Sequence, residues 1–121
     1  MTVIPICTAD ALQNAGKGVR FPITLFGADA TGFVVRFENN VYGYANRCAH
    51  VPVELDWNEG EFFDASGKYL ICAMHGAMYQ PESGRCAGGP CRGQALQKID
   101  VLEKQGEIGW MPNENVRPAR A

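Results

Sequence analysis

Both histidines of this chain stand beside cysteines, in Cys48-Ala49-His50 and in Cys72-Ala73-Met74-His75, so every imidazole belongs to one constellation. If two loops bring the pairs together, two thiolates and two imidazoles can surround one metal centre. Sulfur with imidazole suits iron–sulfur clusters, zinc or copper. Zinc sites with two of each ligand usually pair Cys with Cys and His with His, which is a different order. A zinc-stabilised interaction or redox-sensor module is therefore the competing reading of these four residues.

The order C-x-H then C-x-x-H, and the run Cys72-Ala-Met-His75-Gly76-Ala-Met-Tyr79 with Ser83-Gly84-Arg85 and Gly88-Gly89-Pro90 after it, resemble the Rieske [2Fe–2S] family. The resemblance spans about residues 33–110. It implies one [2Fe–2S] cluster, with Cys48 and Cys72 on one iron and His50 and His75 on the other. It also implies that Gly76 lets backbone N–H groups approach the bridging sulfides, that the loop containing Pro90 covers the cluster, and that the Tyr79 hydroxyl tunes it. Tyr79 could equally serve as a core aromatic whose hydroxyl bonds elsewhere.

Three departures matter. The segment 51–71 is longer than in many members, which suggests an extra hairpin. The disulfide that clamps the two cluster loops in respiratory-complex members has Val53 and Ala73 at comparable positions here, so the chain looks like the ferredoxin-type branch. Ala77 stands where high-potential members carry a serine hydroxyl. With that donor and the clamp missing, the potential is expected in the lower half of the family range of about −150 to +300 mV.

The resemblance implies a one-electron carrier between a reductase and an oxygenase or similar terminal enzyme, not an enzyme with a small-molecule substrate. An alternative is a small redox subunit fixed in a larger oxidoreductase. No histidine remains for a mononuclear iron of the oxygenase type, and no catalytic residues are assigned.

The 121 residues suit one domain, expected over 1–111 with a cluster-binding subdomain at about 46–92. Residues 112–121, polar and proline-interrupted, read as a disordered tail. A net charge of −2 offers no basic stripe for nucleic acid. Neither a signal-peptide pattern nor a long apolar run occurs, so no membrane partner and a cytoplasmic location are expected.

Segments 21–26 and 33–37, rich in β-branched and aromatic residues, and 41–44 after a turn at Asn39-Asn40, predict strands. So do 96–102 and 108–110 around a turn at 104–107. Segments 61–63 and 68–71 around Asp64-Ala-Ser-Gly67 predict a hairpin leading into the second ligand loop. One short helix is expected over 8–15, capped by Thr8 or Asp10. The fold class is all-β: the Rieske fold, an antiparallel sandwich or small barrel with the cluster-binding subdomain at one end.

Cys7 reads as an apolar strand residue. Cys86 and Cys91 flank the Gly-Gly-Pro loop, either as thiols that help it pack or as a reversible disulfide. Glu54, Asp56, Glu59, Glu61 and Asp64 against Lys68 form either a solvated face or a steering surface for a basic partner. Met74 and Met78 either pack beneath the loops or offer an adaptable apolar contact.

Overall fold

The computed structural model describes residues 3–49 and 52–119. Ten strands occur among them: β1 (Ile4–Thr8), β2 (Val19–Leu25), β3 (Ala28–Phe37), β4 (Asn40–Ala45), β5 (Leu70–Ile71), β6 (Met78–Tyr79), β7 (Cys86–Gly88), β8 (Lys98–Lys104), β9 (Glu107–Met111) and β10 (Val116–Pro118). Seven form one curled antiparallel sheet in the order β1-β9-β8-β4-β3-β2-β10, and β5-β6-β7 form a second, smaller sheet.

Three tight turns set the register of the large sheet. Pairs Leu25↔Ala28, Phe37↔Asn40 and Lys104↔Glu107 leave two residues in each turn. Both residues of each lie at positive φ, namely Phe26-Gly27, Glu38-Asn39 and Gln105-Gly106. Such turns match the right-handed twist of the strands they join. The expected Asn39-Asn40 turn is thus shifted by one residue, because Asn40 pairs with Phe37.

Alternation along β3 explains why two cores share one sheet. Phe33 and Val35 join a core with Tyr44, Cys48, Leu55, Phe62, Leu70, Cys72, Ala77 and Tyr79. Val34, between them, points to the opposite core, with Phe21, Ile23, Ala45, Ile99, Ile108 and Trp110. The β3–β4 hairpin is therefore buried on both faces, and the first core lies against the ligand loops.

Two sequence expectations are corrected. In place of a helix over 8–15 there is only a 3₁₀ turn, Ala9–Ala11. Arg36 captures the carbonyls of Ala9 at 3.1 Å and Leu12 at 3.0 Å, and the Ala15 N–H donates to the Arg36 carbonyl, so these groups are drawn out of any helical ladder. The tail expected to be disordered over 112–121 contains β10. Its Val116 is fully buried opposite Leu25, and this burial outweighs the polarity of its neighbours. The hairpin expected before the second ligand loop is present in short form: Phe63 bridges Leu70 in antiparallel fashion, the Ile71 N–H donates to the Phe62 carbonyl and the Asp64 N–H to the Tyr69 carbonyl, and the Gly67 N–H closes the turn on the Asp64 carbonyl. Cys7 lies in β1, opposite Ile108.

Candidate metal centre

The first ligand loop leaves β4 at Ala45. Asn46 sends its backbone N–H to the Thr31 carbonyl (2.7 Å), and the Cys48 N–H donates to the Val53 carbonyl (2.8 Å). The buried Asn46 amide donates to Asp56 Oδ1 at 2.7 Å and accepts from the Leu55 N–H at 2.8 Å. Asp56 Oδ2 in turn accepts from the Gly60 N–H at 2.9 Å. Arg20, on β2, closes the arrangement, with ion pairs to Glu54 at 2.7 Å, Glu59 at 2.9 Å and Asp56 at 3.7 Å. Three of the five carboxylates in the acidic segment are therefore held by one guanidinium.

The second loop runs from β5 to β6. Cys72 N–H donates to the Ala77 carbonyl and Gly76 N–H to the Cys72 carbonyl, at 2.8 and 2.9 Å. Gly76 sits at φ 72°, with open space where a side chain would project; its backbone conformation, rather than crowding, requires glycine there. The Ala73 N–H donates to the Leu55 carbonyl at 3.0 Å. That bond ties the two loops together at the place where the respiratory-type clamp is missing.

Cys48 and Cys72 are buried, with 3% and 0% exposure, in the same core. Their side chains are within hydrogen-bonding reach of one another. Burial pushes the Cys72 thiol up; the Met74 N–H directed at its sulfur opposes this, the Cys48 side chain adds to it, and the His75 N–H again opposes it. The Tyr79 hydroxyl lies 3.2 Å from Cys48 Sγ and accepts from the Ala49 N–H at 3.0 Å. Burial, then Cys48, drives the Tyr79 hydroxyl upward, so it stays protonated and able to donate. Two sequestered sulfurs facing N–H and O–H donors fit metal-bound thiolates, whose negative charge needs such partners.

His75 is exposed on the second loop. His50 lies outside the described residues, so its expected place as a ligand is not addressed by this geometry. Ala77 is fully buried and supplies no hydroxyl. Pro90 is exposed, and its neighbour Gly89 lies close against the second ligand loop. A Cβ on Gly89 would lie 2.6 Å from the Gly76 carbonyl oxygen and 3.0 Å from Ala77 Cα. Cys86 and Cys91, left open by the sequence, are joined as a disulfide.

Arg20 and the exposed Trp57 were not marked as functional by sequence reasoning. Arg20's partners are distant in sequence, and no local pattern signals them. A tryptophan within the polar run Asp56-Trp57-Asn58-Glu59 is a visible oddity. It is 74% exposed, and with Met74, at 52%, it lines an open surface groove together with Asn58, Glu61, Phe63, Ile71 and Ala73; Met74 directly precedes His75 in sequence.

A family model for the Rieske [2Fe-2S] domain matches residues 2–113. The chain belongs to this family, whose domain binds one [2Fe–2S] cluster. Among solved structures, the ferredoxin of carbazole 1,9a-dioxygenase from Nocardioides aromaticivorans IC177 is similar at 26% identity, with a TM-score of 0.73 over 93% of this chain and 100% of that one. A ferredoxin solved in complex with the oxygenase of carbazole 1,9a-dioxygenase matches at 24% identity and TM-score 0.67, covering 89% of this chain and 100% of that chain. The terminal oxygenase of carbazole 1,9a-dioxygenase from Novosphingobium sp. KA1 shares the fold at 21% identity and TM-score 0.71, over 98% of this chain but only 31% of that chain. No curated protein matches.

Proposed function

We propose that this protein is a one-electron carrier that passes electrons from a reductase to a terminal oxygenase, with Cys48, His50, Cys72 and His75 as the cluster ligands. The observation that carries this reading is the pair of buried thiols beneath an exposed loop that presents His75. Bound there, the cluster would accept and release one electron at a potential raised by imidazole ligation. The chain's own residues do the rest. Leu55, Phe62, Leu70 and Tyr79 exclude water from the sulfur side. The Met74 and His75 N–H groups and the Tyr79 hydroxyl favour negative charge on sulfur. The apolar rim of Trp57 and Met74 offers a partner a desolvated contact close to His75.

Kinship with a dioxygenase ferredoxin along its full length supports an oxygenase as acceptor. Among the described residues no helix is long and apolar enough to cross a membrane; the cytoplasm is the proposed location.

The test is an electron paramagnetic resonance spectrum of the dithionite-reduced protein, followed by anaerobic mixing with an oxygenase component. A reduced-state signal with average g below that of all-cysteine clusters, lost in His75→Ala and Cys72→Ser, is expected. A colourless protein holding one zinc would overturn the reading.

A further inference from the structure

We propose that the Cys86–Cys91 disulfide is a dithiol-reducible lock on the cluster site, closed when oxidised and loosened when reduced. The disulfide spans the loop whose Gly89 lies against the second ligand loop, so tightly that a single added methyl would meet the Gly76 carbonyl at 2.6 Å. Both of its ends connect to the residues of the centre. Cys86 is the cross-strand partner of Tyr79, whose hydroxyl reaches Cys48 Sγ. Cys91 is fully buried in the core that holds Cys48, Cys72, Ala77 and Tyr79. One covalent bond therefore restrains both the backing of the His75 loop and the strand that carries the sulfur's hydroxyl donor.

The two sulfurs differ in access, and this sets the direction of exchange. Cys86 is half-buried and Cys91 is sealed, so an external thiolate reaches Cys86 Sγ. It forms a mixed disulfide there while the Cys86–Cys91 bond breaks, and Cys91 leaves and takes up a proton. The second thiol of the same dithiol attacks its own sulfur in the mixed disulfide, releasing Cys86. Two electrons and two protons pass to the protein, and the dithiol becomes a disulfide. In a reducing compartment such exchange is continuously available, and the buried leaving group makes it slow. After reduction, the loop retains its backbone bonds Cys86 N–H to Gln94 O and Gln94 N–H to Cys91 O but loses its cross-link.

The experiment uses the cluster-loaded protein under argon, with and without dithiothreitol. Denaturation in iodoacetamide followed by mass spectrometry should show three alkylated cysteines before treatment and all five after it. Bleaching of the visible bands by a chelator should then be several-fold faster in the reduced sample, with a shifted midpoint potential. Cys86→Ser/Cys91→Ser should match the reduced state and ignore dithiothreitol, which controls for direct attack of the reagent on iron. If that variant fails to load a cluster, the comparison on the unmodified protein still decides. Five alkylated cysteines before treatment, or equal bleaching rates and potentials in the two states, would overturn the lock.

Discussion

At the residue scale, the Tyr79 hydroxyl shows how a single atom sets a chemical property. It stands between the Ala49 N–H and Cys48 Sγ, at 3.0 and 3.2 Å, so the backbone polarises the hydroxyl toward the sulfur. A donor of this kind stabilises the more electron-rich reduced cluster and raises the potential. Tyr79→Phe keeps the ring in its fully buried place and removes only that donor. The midpoint should fall by about 20–60 mV, the equivalent for one electron of a hydrogen bond of roughly 0.5–1.5 kcal/mol. Spectroelectrochemical titration checks this, and an unchanged or higher midpoint would assign the hydroxyl a packing role only. The Cys48 and Cys72 pair was legible because thiols beside imidazoles at short spacing are a matter of residue type, and Tyr79 entered through the family resemblance; the structure brings these three side chains into one core. Gly89 was legible only as part of a loop, since its need to lack a Cβ arises from a contact with Gly76 that spacing does not reveal.

At the scale of elements, the first ligand loop has little regular structure of its own and is shaped by charge and amide groups. Asp56, whose carboxylate is wholly shielded, is held by Asn46, the Gly60 N–H and Arg20. Removing a partner from a buried carboxylate costs more than losing a surface pair. Arg20→Met should therefore destabilise the protein by about 1–3 kcal/mol and loosen the loop around Cys48. Glu59→Gln should cost less than about 0.5 kcal/mol, since that carboxylate is 79% exposed. Urea unfolding of the two variants, read by the visible bands and by far-ultraviolet dichroism, separates them, and equal costs would mean that Asp56 does not depend on Arg20. The acidic segment had been open to reading as a steering surface; its largest charged partner lies on β2, and only the folded sheet brings it near. The main strands were visible through their β-branched and aromatic content and the turn residues between them. Strand β10 and the 3₁₀ turn were not, because Val116 is a single apolar residue in a polar run and the helical pattern over 8–15 could not anticipate the pull of Arg36.

At the scale of the whole molecule, the Arg36 side chain joins β3 to the 3₁₀ turn and to β8, neither of which is a neighbour of β3 in the sheet. From β3 it donates to the carbonyls of Ala9, Leu12 and Asn39, and it grips Glu103 of β8 through both carboxylate oxygens, at 2.6 and 3.0 Å. The Arg36 hydrogen bond, with the guanidinium's charge behind it, holds the Glu103 carboxyl below its ordinary value, and burial opposes this. Because the folded state binds this proton less readily than the unfolded chain does, stability rises with pH through that range. The contribution is complete above the ordinary glutamate value of 4.5 and disappears as the pH falls through the lower folded value. Asp64 acts in the same direction: burial alone would raise it, but the Ser66 hydroxyl and the Tyr69, Lys68 and Gly67 N–H groups more than offset that. Glu103→Gln should thus lower the thermal midpoint at pH 7 by about 3–6 °C, as expected for a two-pronged, partly shielded pair of about 1 kcal/mol. The gap between variant and parent should narrow as the pH falls toward 3, when the parent carboxylate gains its proton. Taking the difference between the two proteins removes the acid sensitivity of the cluster, which they share. Thermal scans of both at intervals between pH 3 and 7 provide the check, and a gap that stays constant or widens in acid would show that Arg36 owes its place to the three carbonyls rather than to Glu103.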